Sequence, residues 1–181
     1  MKVLGIAGSL RQKSFNKMLL HAAAELAPKD MEIEVFDLGE IPLFNQDLEA
    51  ELPEAVKMFK DKIKAADAIL FATPEYNYSI PGVLKNAIDW GSRPYGDNSW
   101  QGKTVAVMGA TIGSTGTIRA QFALRQTFVF LDMHQVNKPE IYVNFADKKF
   151  AEDGTLTDVD TAKYVGLLLQ ALYDWTKQIK Q

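Results

Sequence analysis

The chain has 181 residues, of which 47% are hydrophobic and 24% are charged, and its formal net charge is −3. This charge argues against a general nucleic-acid binder, and the absence of cysteine excludes disulfides, thiolate catalysis and Cys-ligated metals. No apolar run approaches the roughly 20 residues that span a bilayer. The fold begins at once with Val3, so we expect no secretory leader and a single cytoplasmic domain over residues 1–181.

Strand-like and helix-like segments alternate along the chain. Apolar runs predict five strands, over residues 2–7, 33–36, 68–72, 104–108 and 141–143. Apolar residues at helical spacing predict five helices, over 16–26, after Pro53, from about Pro81, over 117–130 and over 165–175. Five such strand–helix units predict a parallel sheet that is covered by helices on both faces.

Two polar stretches are predicted to lie on the surface. The connection over 91–103 is rich in Gly, Pro, Asp, Asn and Ser, which is typical of an exposed loop. Lys57, Lys60, Lys62 and Lys64 are predicted to form one solvated helix face.

The most informative segment is the loop that follows the third predicted strand, from Thr73 to Gly82. Open α/β sheets bind ligands at the carboxyl ends of their strands, which is where this loop lies. It carries Tyr76 and Tyr78, whose rings suit a flat aromatic ligand, and polar groups that suit the ligand's edges. The alternative is an ordinary turn that contains aromatic residues.

The loop after the first strand suits a phosphate. Ser9, Ser14 and Asn16 supply short polar side chains, Arg11 adds positive charge, and the helix that follows offers free N–H groups. Ser14 or Asn16 could instead serve only to cap that helix. The glycines here do not form the dinucleotide fingerprint or the P-loop, so the spacing supports neither a Rossmann NAD site nor an NTPase.

A third loop, from Gly109 to Thr117, follows the fourth predicted strand and is rich in glycine. Glycine allows backbone amides to approach a ligand closely. The strands before the three loops are parallel, so all three loops are expected at one edge of the sheet.

Four motifs carry a resemblance to a known family. They are Gly8-Ser9-Leu10-Arg11 with Ser14 and Asn16, Pro74-Glu75-Tyr76-Asn77, the segment from Pro81 to Trp90, and Arg119-Ala120-Gln121 with Leu124 and Arg125. From Lys2 to about Pro139 the chain resembles the NADPH-dependent FMN reductases, and within them the chromate/quinone reductase and azoreductase group. The resemblance implies a flavodoxin-like three-layer sandwich, with a five-stranded parallel sheet in the order 2-1-3-4-5.

The resemblance also implies FMN at this edge of the sheet. The first loop would hold the phosphate, the aromatic loop would line the isoalloxazine, and the third loop would approach the pyrimidine end of the ring. The family often has paired glycines in the third loop, whereas here Ser114 follows Gly113 and Thr117 follows Gly116. The implied cofactor-binding residues are Ser9, Arg11, Ser14, Phe15, Asn16, Pro74, Glu75, Tyr76, Asn77, Tyr78, Gly113, Ser114, Thr115 and Gly116.

The function that follows is an FMN-dependent NAD(P)H oxidoreductase. Hydride would pass from NADPH or NADH through FMN to a quinone, azo, nitroaromatic, chromate or similar acceptor in a two-step, ping-pong cycle. The cofactor carries this chemistry, so we assign no catalytic side chain and no metal, and His21 and His134 are predicted to be structural. Three alternatives stay open: a reductase that uses FMN as a dissociable substrate, a flavodoxin-like electron carrier without NAD(P)H activity, and a regulatory or structural protein that merely keeps the fold.

The resemblance further implies a homodimer or homotetramer, with each flavin near a subunit boundary, and no nucleic-acid or membrane partner. Several roles stay open at this stage. Arg119 and Arg125 could bind a cofactor phosphate, form intersubunit ion pairs or lie exposed on a helix. Phe122 is predicted to serve helix packing together with Phe128 and Phe130, or else to meet a partner subunit or the mouth of the site. Glu75 could tune the flavin or only fix its loop.

Overall fold

The computed structural model describes residues 1–180. Its helices and strands follow one another in the predicted alternation. In chain order they are β1 (Lys2–Ala7), α1 (Phe15–Glu25), β2 (Glu32–Phe36), α2 (Glu54–Ala65), β3 (Ala68–Ala72), α3 (Gly82–Gly91), β4 (Thr104–Ala110), α4 (Ile118–Leu131), β5 (His134–Gln135), β6 (Ile141–Val143) and α5 (Val159–Ile179). Short 3-10 turns lie at Gln46–Leu48 and Ala146–Lys148.

The sheet is parallel and its strand order is β2-β1-β3-β4-β5, which confirms the predicted order. The fifth position, however, is shared by two short strands instead of one. Thr104 at the start of β4 pairs with His134, whereas Met108 near its end pairs with Ile141 of β6. Pro139 lies between the two short strands, and it has no N–H to donate to a ladder.

Two layers of helices cover the sheet, because its strands bury alternate side chains on opposite faces. In β3, Leu70 packs in the core with α1 and α5, while Ile69 and Phe71 pack in the second core with α2, α3 and α4. All five residues of β3 are buried, as expected for the central strand of a sheet covered on both sides. The three-layer architecture is thereby confirmed.

Most of the connection over 91–103 lies at the surface, as predicted, but the prediction fails at Trp100. Trp100 is fully buried in the core beneath α2 and α3, and its indole N–H donates to the carbonyl of Ile88 at 3.0 Å. Its ring lies 5.8 Å from that of Phe59 and 5.8 Å from that of Phe71. One aromatic anchor thus pulls an otherwise polar segment into the core.

The predicted surface position of Lys60 is wrong. Its side chain is only 2% exposed and does not lie on a solvated helix face. Its ammonium group donates to the carbonyls of Arg93, Asp97 (2.7 Å) and Gly91 (3.4 Å), and lies 3.4 Å from the Asp97 carboxylate. Burial lowers the pKa of Lys60. The lysine therefore fastens α2 to the segment that follows α3.

Candidate functional site

Loops from the carboxyl ends of β1, β3 and β4 meet at one edge of the sheet and enclose a cleft of about 180 Å³. Eight of the residues that the sequence implicates line this cleft: Ser9, Arg11, Ser14, Phe15, Asn16, Pro74, Glu75 and Tyr76. Three more, which the sequence did not single out, come from the end of β4 and its loop: Ala110, Thr111 and Ile112. The remaining implicated residues, Asn77, Tyr78, Gly113, Ser114, Thr115 and Gly116, lie outside the lining.

The first loop presents two nearly buried hydroxyl groups to the cleft. Ser14 caps α1, and its hydroxyl oxygen accepts the backbone N–H of Lys17 at 3.4 Å. The hydroxyl oxygen of Ser9 accepts the backbone N–H of Arg11 at 3.3 Å. A hydroxyl that accepts in this way still has its own proton to donate. Capping and anion binding are therefore compatible at Ser14, and the exposed Arg11 adds positive charge beside both hydroxyls.

Asn16 connects two of the three loops. Its side-chain amide donates to the carbonyl of Ala110 at 2.9 Å and accepts the N–H of the same residue at 2.9 Å. The side chain is 3% exposed. Asn16 thus fixes the start of α1 against the end of β4. This structural role does not require a ligand.

The aromatic loop closes in a tight turn. Tyr76 and Ser79 exchange two backbone hydrogen bonds, of 3.1 and 3.0 Å, and the two residues between them are left-handed, with φ of 51° at Asn77 and 65° at Tyr78. Both tyrosine side chains are exposed. Left-handed backbone is unfavourable for a bulky residue, so contacts made by Tyr78 must hold the turn in place.

Glu75 and Arg119 stabilise the turn of the aromatic loop. The Glu75 carboxylate accepts the backbone N–H groups of Arg119 (3.0 Å) and Ala120 (3.3 Å) at the start of α4, and the Nε–H of Arg119 (2.6 Å). The guanidinium of Arg119 lies over the Tyr78 ring, 3.8 Å from its centroid. Among the roles left open for Glu75, fixing the loop is the one that these contacts show.

The third loop uses its two glycines for different purposes. Gly116 is left-handed, with φ of 59°, and a Cβ there would lie 2.6 Å from the backbone of Tyr142, so tight packing requires this glycine. A Cβ on Gly113 would meet only the Thr111 hydroxyl, at 3.8 Å. Gly113 is exposed and leaves room for a ligand to approach its backbone.

The sequence left the roles of several other residues of α4 undecided. Some of them make internal contacts and others are exposed. Arg125 donates to the carbonyl of Val136 at 3.0 Å and to the side chain of Gln135 at 3.3 Å. Phe128 is buried, as predicted, but Phe130 is 83% exposed, so its predicted role in helix packing is wrong. Phe122 is 52% exposed and belongs to neither core.

Residues 1–180 contain no group of His, Asp and Glu side chains arranged to hold a metal ion. Neither histidine lines the cleft: His21 is exposed on α1, and His134 lies in β5. In the described part of the chain, no helix is long and apolar enough to cross a membrane.

Comparison with known proteins identifies the family. The NADPH-dependent FMN reductase family matches residues 1–148. An NAD(P)H-dependent FMN reductase of Pseudomonas aeruginosa is 50% identical over 99% of this chain and 97% of its own length. A 2-hydroxy-1,4-benzoquinone reductase of a Burkholderia species is 42% identical over 98% and 97% of the two chains.

A solved structure agrees with these sequence relatives. The flavoenzyme NAD(P)H:(acceptor) oxidoreductase FerB of Paracoccus denitrificans superposes with a TM-score of 0.91 at 40% identity, covering 98% of this chain and 97% of its own. The chain therefore belongs to the NADPH-dependent FMN reductase family, and it is an oxidoreductase whose cofactor is FMN. The resemblance seen in the sequence is confirmed.

Proposed function

We propose that this protein is one flavoprotein domain that binds FMN in the cleft and passes hydride from NADPH or NADH to quinones, with azo compounds, nitroaromatics and chromate as further acceptors. The convergence of the three loops on one cleft carries the proposal. Ligands of open α/β sheets bind at this edge. A cytoplasmic location fits such a reductase.

The donor set of the cleft suits the phosphate end of FMN. The hydroxyls of Ser9 and Ser14 and the free N–H groups at the start of α1 point to an anion, and the exposed Arg11 supplies a positive charge. At the other end, the exposed rings of Tyr76 and Tyr78 offer flat apolar surface for an isoalloxazine. Gly113 is exposed and leaves room for a ring edge, while its own N–H donates to the Thr111 hydroxyl oxygen at 3.3 Å.

The bound flavin supplies the hydride chemistry, and the protein supplies position and charge. The ionisable side chains that line the cleft are Arg11, Glu75 and Tyr76, and Glu75 is already held by Arg119 and α4. No acid or base is therefore assigned. NAD(P)H and the acceptor would use the same cleft in turn, as the proposed ping-pong cycle requires.

The names of the relatives favour two candidate functions. Those named quinone reductases, including one of Pseudomonas putida at 44% identity, favour quinones as substrates. The relative named an FMN reductase favours a second candidate, in which FMN itself is a substrate that leaves after reduction. Gel filtration of the FMN-loaded protein separates the two candidates. Flavin that stays with the protein supports the first, and flavin lost at micromolar concentration, with turnover that depends on added FMN, supports the second.

The site can be tested with a matched pair of variants in one loop. Arg11 and Lys13 are both exposed cations, but only Arg11 lines the cleft. We expect Arg11→Ala to weaken FMN binding at least tenfold and Lys13→Ala to change it less than twofold, because only the first cation reaches the phosphate. Equal effects of the two substitutions, measured by flavin fluorescence titration, would argue against the proposed orientation of FMN.

We further propose that two copies of the chain associate through α4, in a dimer or a tetramer. Phe122, Val129 and Phe130 all lie exposed on this helix, and a cavity of about 310 Å³ beside Phe130 is lined by Phe44 and Tyr95 among others. Contiguous exposed apolar side chains are typical of an interaction surface.

Light scattering of Phe130→Asp tests this association. We expect this variant to be a monomer, while the control Val159→Asp, which places the same charge on an exposed residue of α5, retains the native assembly. A monomeric wild-type protein at micromolar concentration would contradict the proposal.

A further inference from the structure

Glu75 and Arg119 form a compensated ion pair at the rim of the cleft. The Glu75 side chain is 8% exposed and that of Arg119 is 39% exposed, with Oε1 and Nη2 only 2.6 Å apart. Glu75 also lines the cleft. The pair therefore places one negative and one positive charge beside the site where the resemblance expects the flavin ring, and their long-range fields largely cancel.

The carboxylate does more than neutralise the arginine. The residue before α4, Thr117, is left-handed with φ of 67° and gives the helix no side-chain cap. Glu75 provides that cap from a different loop by accepting the N–H groups of Arg119 and Ala120. These contacts fix the backbone of residue 119 and, through it, the guanidinium that stacks on Tyr78. The position of the cation thus depends on Glu75, while the charge belongs to Arg119.

We propose that Glu75 and Arg119 are positioning residues that set the relative affinity of the site for reduced and oxidised FMN. The inference rests on the proposed function, since it needs FMN in the cleft. Reduction adds negative charge to the flavin, so a nearby positive charge favours reduced FMN and a negative charge favours oxidised FMN. The intact pair keeps these two influences in balance.

Two single substitutions then have effects of opposite sign. In Glu75→Gln, the amide oxygen still accepts the backbone N–H groups of α4, but Arg119 is left uncompensated, so reduced FMN should be favoured. In Arg119→Gln, Glu75 is left uncompensated, so oxidised FMN should be favoured. The double variant restores neutrality and should return close to wild type. A purely structural role would instead weaken the binding of both forms in parallel and leave their ratio unchanged.

The experiment is a redox titration of the FMN-loaded protein together with FMN dissociation constants for the oxidised form. We expect each single variant to change the ratio of affinities about tenfold, which a two-electron couple registers as a shift of about 30 mV, upward for Glu75→Gln and downward for Arg119→Gln. Arg119→Lys keeps the charge but loses the fork of donors, so it should leave the ratio within twofold of wild type. It serves as the matched control for Arg119→Gln, and Glu75→Gln carries the test if Arg119→Gln does not fold.

The outcomes separate this inference from the proposed function. A wild-type protein that fails to bind FMN overturns both. A wild-type protein that binds FMN, with variants whose ratios stay unchanged or move in the same direction, overturns only the role given to Glu75 and Arg119.

Discussion

Asn16 offers the sharpest test of how the site is assembled. Replacing it with Ala removes the bond from the amide to the Ala110 carbonyl and the bond from the Ala110 N–H to the amide, both of 2.9 Å and both buried. Leaving a buried backbone group unpaired costs about 1–3 kcal/mol. The two groups together predict a loss of about 2–6 kcal/mol in the free energy of unfolding of the protein without FMN.

The assay is urea unfolding without flavin, with Asn137→Ala as the control. Asn137 is exposed, so its replacement should change the free energy of unfolding by less than about 0.5 kcal/mol. The reasoning would be refuted if Asn16→Ala unfolded like wild type without flavin and lost only FMN affinity. Asn16 would then be a ligand-binding residue, as the sequence resemblance implies, and its contacts with Ala110 would contribute nothing to the fold.

Three further substitutions test other parts of the account. Gly113→Ala should leave urea stability within about 0.5 kcal/mol, because the added Cβ would meet only the Thr111 hydroxyl, at 3.8 Å, yet it should weaken FMN binding; unchanged affinity would place the flavin elsewhere. Lys60→Met should lower the free energy of unfolding by about 3 kcal/mol, since it leaves one buried and two partly buried carbonyls without this donor, and a loss below 1 kcal/mol would contradict the role of this lysine. Asp158 caps α5 and accepts hydrogen bonds from Thr161, which lower the pKa of its carboxyl. Its contribution is therefore present above about pH 4 and lost as the pH falls through the lowered pKa, so the advantage of wild type over Asp158→Ala should be about 1 kcal/mol at pH 7 and shrink below pH 4. An advantage that grew on acidification in urea melts would reverse the sign of this argument.

A parallel sheet covered on both faces could be predicted from the sequence because its central strands are continuous apolar runs, whereas the strand order was implied by the family resemblance. The five consecutive apolar residues of β3, Ala68–Ala72, are typical of a strand covered on both faces, and all five are buried. The break between β5 and β6 was missed, since two residues paired at one end of a strand leave no periodic pattern.

The surface predictions fail at Trp100 and at Lys60, and the two failures have different causes. Trp100 stands alone in a polar segment, so composition gave no sign that this residue enters the core. Lys60 did leave a signal: it follows Val56 by four residues and precedes Ile63 by three, which places it on the buried stripe of α2. Lys60 was predicted at the surface because it is charged, although its helical spacing indicated burial. A lysine can be buried when carbonyls surround its ammonium group.

The three loops of the site could be located from the sequence, but the structural role of each residue within them could not be predicted. Nothing in the pattern shows that Asn16 binds the backbone of Ala110, ninety-four positions away, or that Glu75 caps α4. Such contacts depend on how the strands align in space. The sequence therefore indicated eight of the residues that line the cleft, and it left open which of them hold the loops together.

The central claim is that FMN binds in this cleft and accepts hydride from NAD(P)H. Anaerobic mixing of the FMN-loaded protein with NADPH, and separately with NADH, tests it most directly by stopped-flow absorbance. We predict that at least one nucleotide bleaches the bound flavin and that a subsequent addition of a quinone restores its colour. Flavin that dithionite reduces but that neither nucleotide bleaches would contradict the claim and would indicate an electron carrier in place of a reductase.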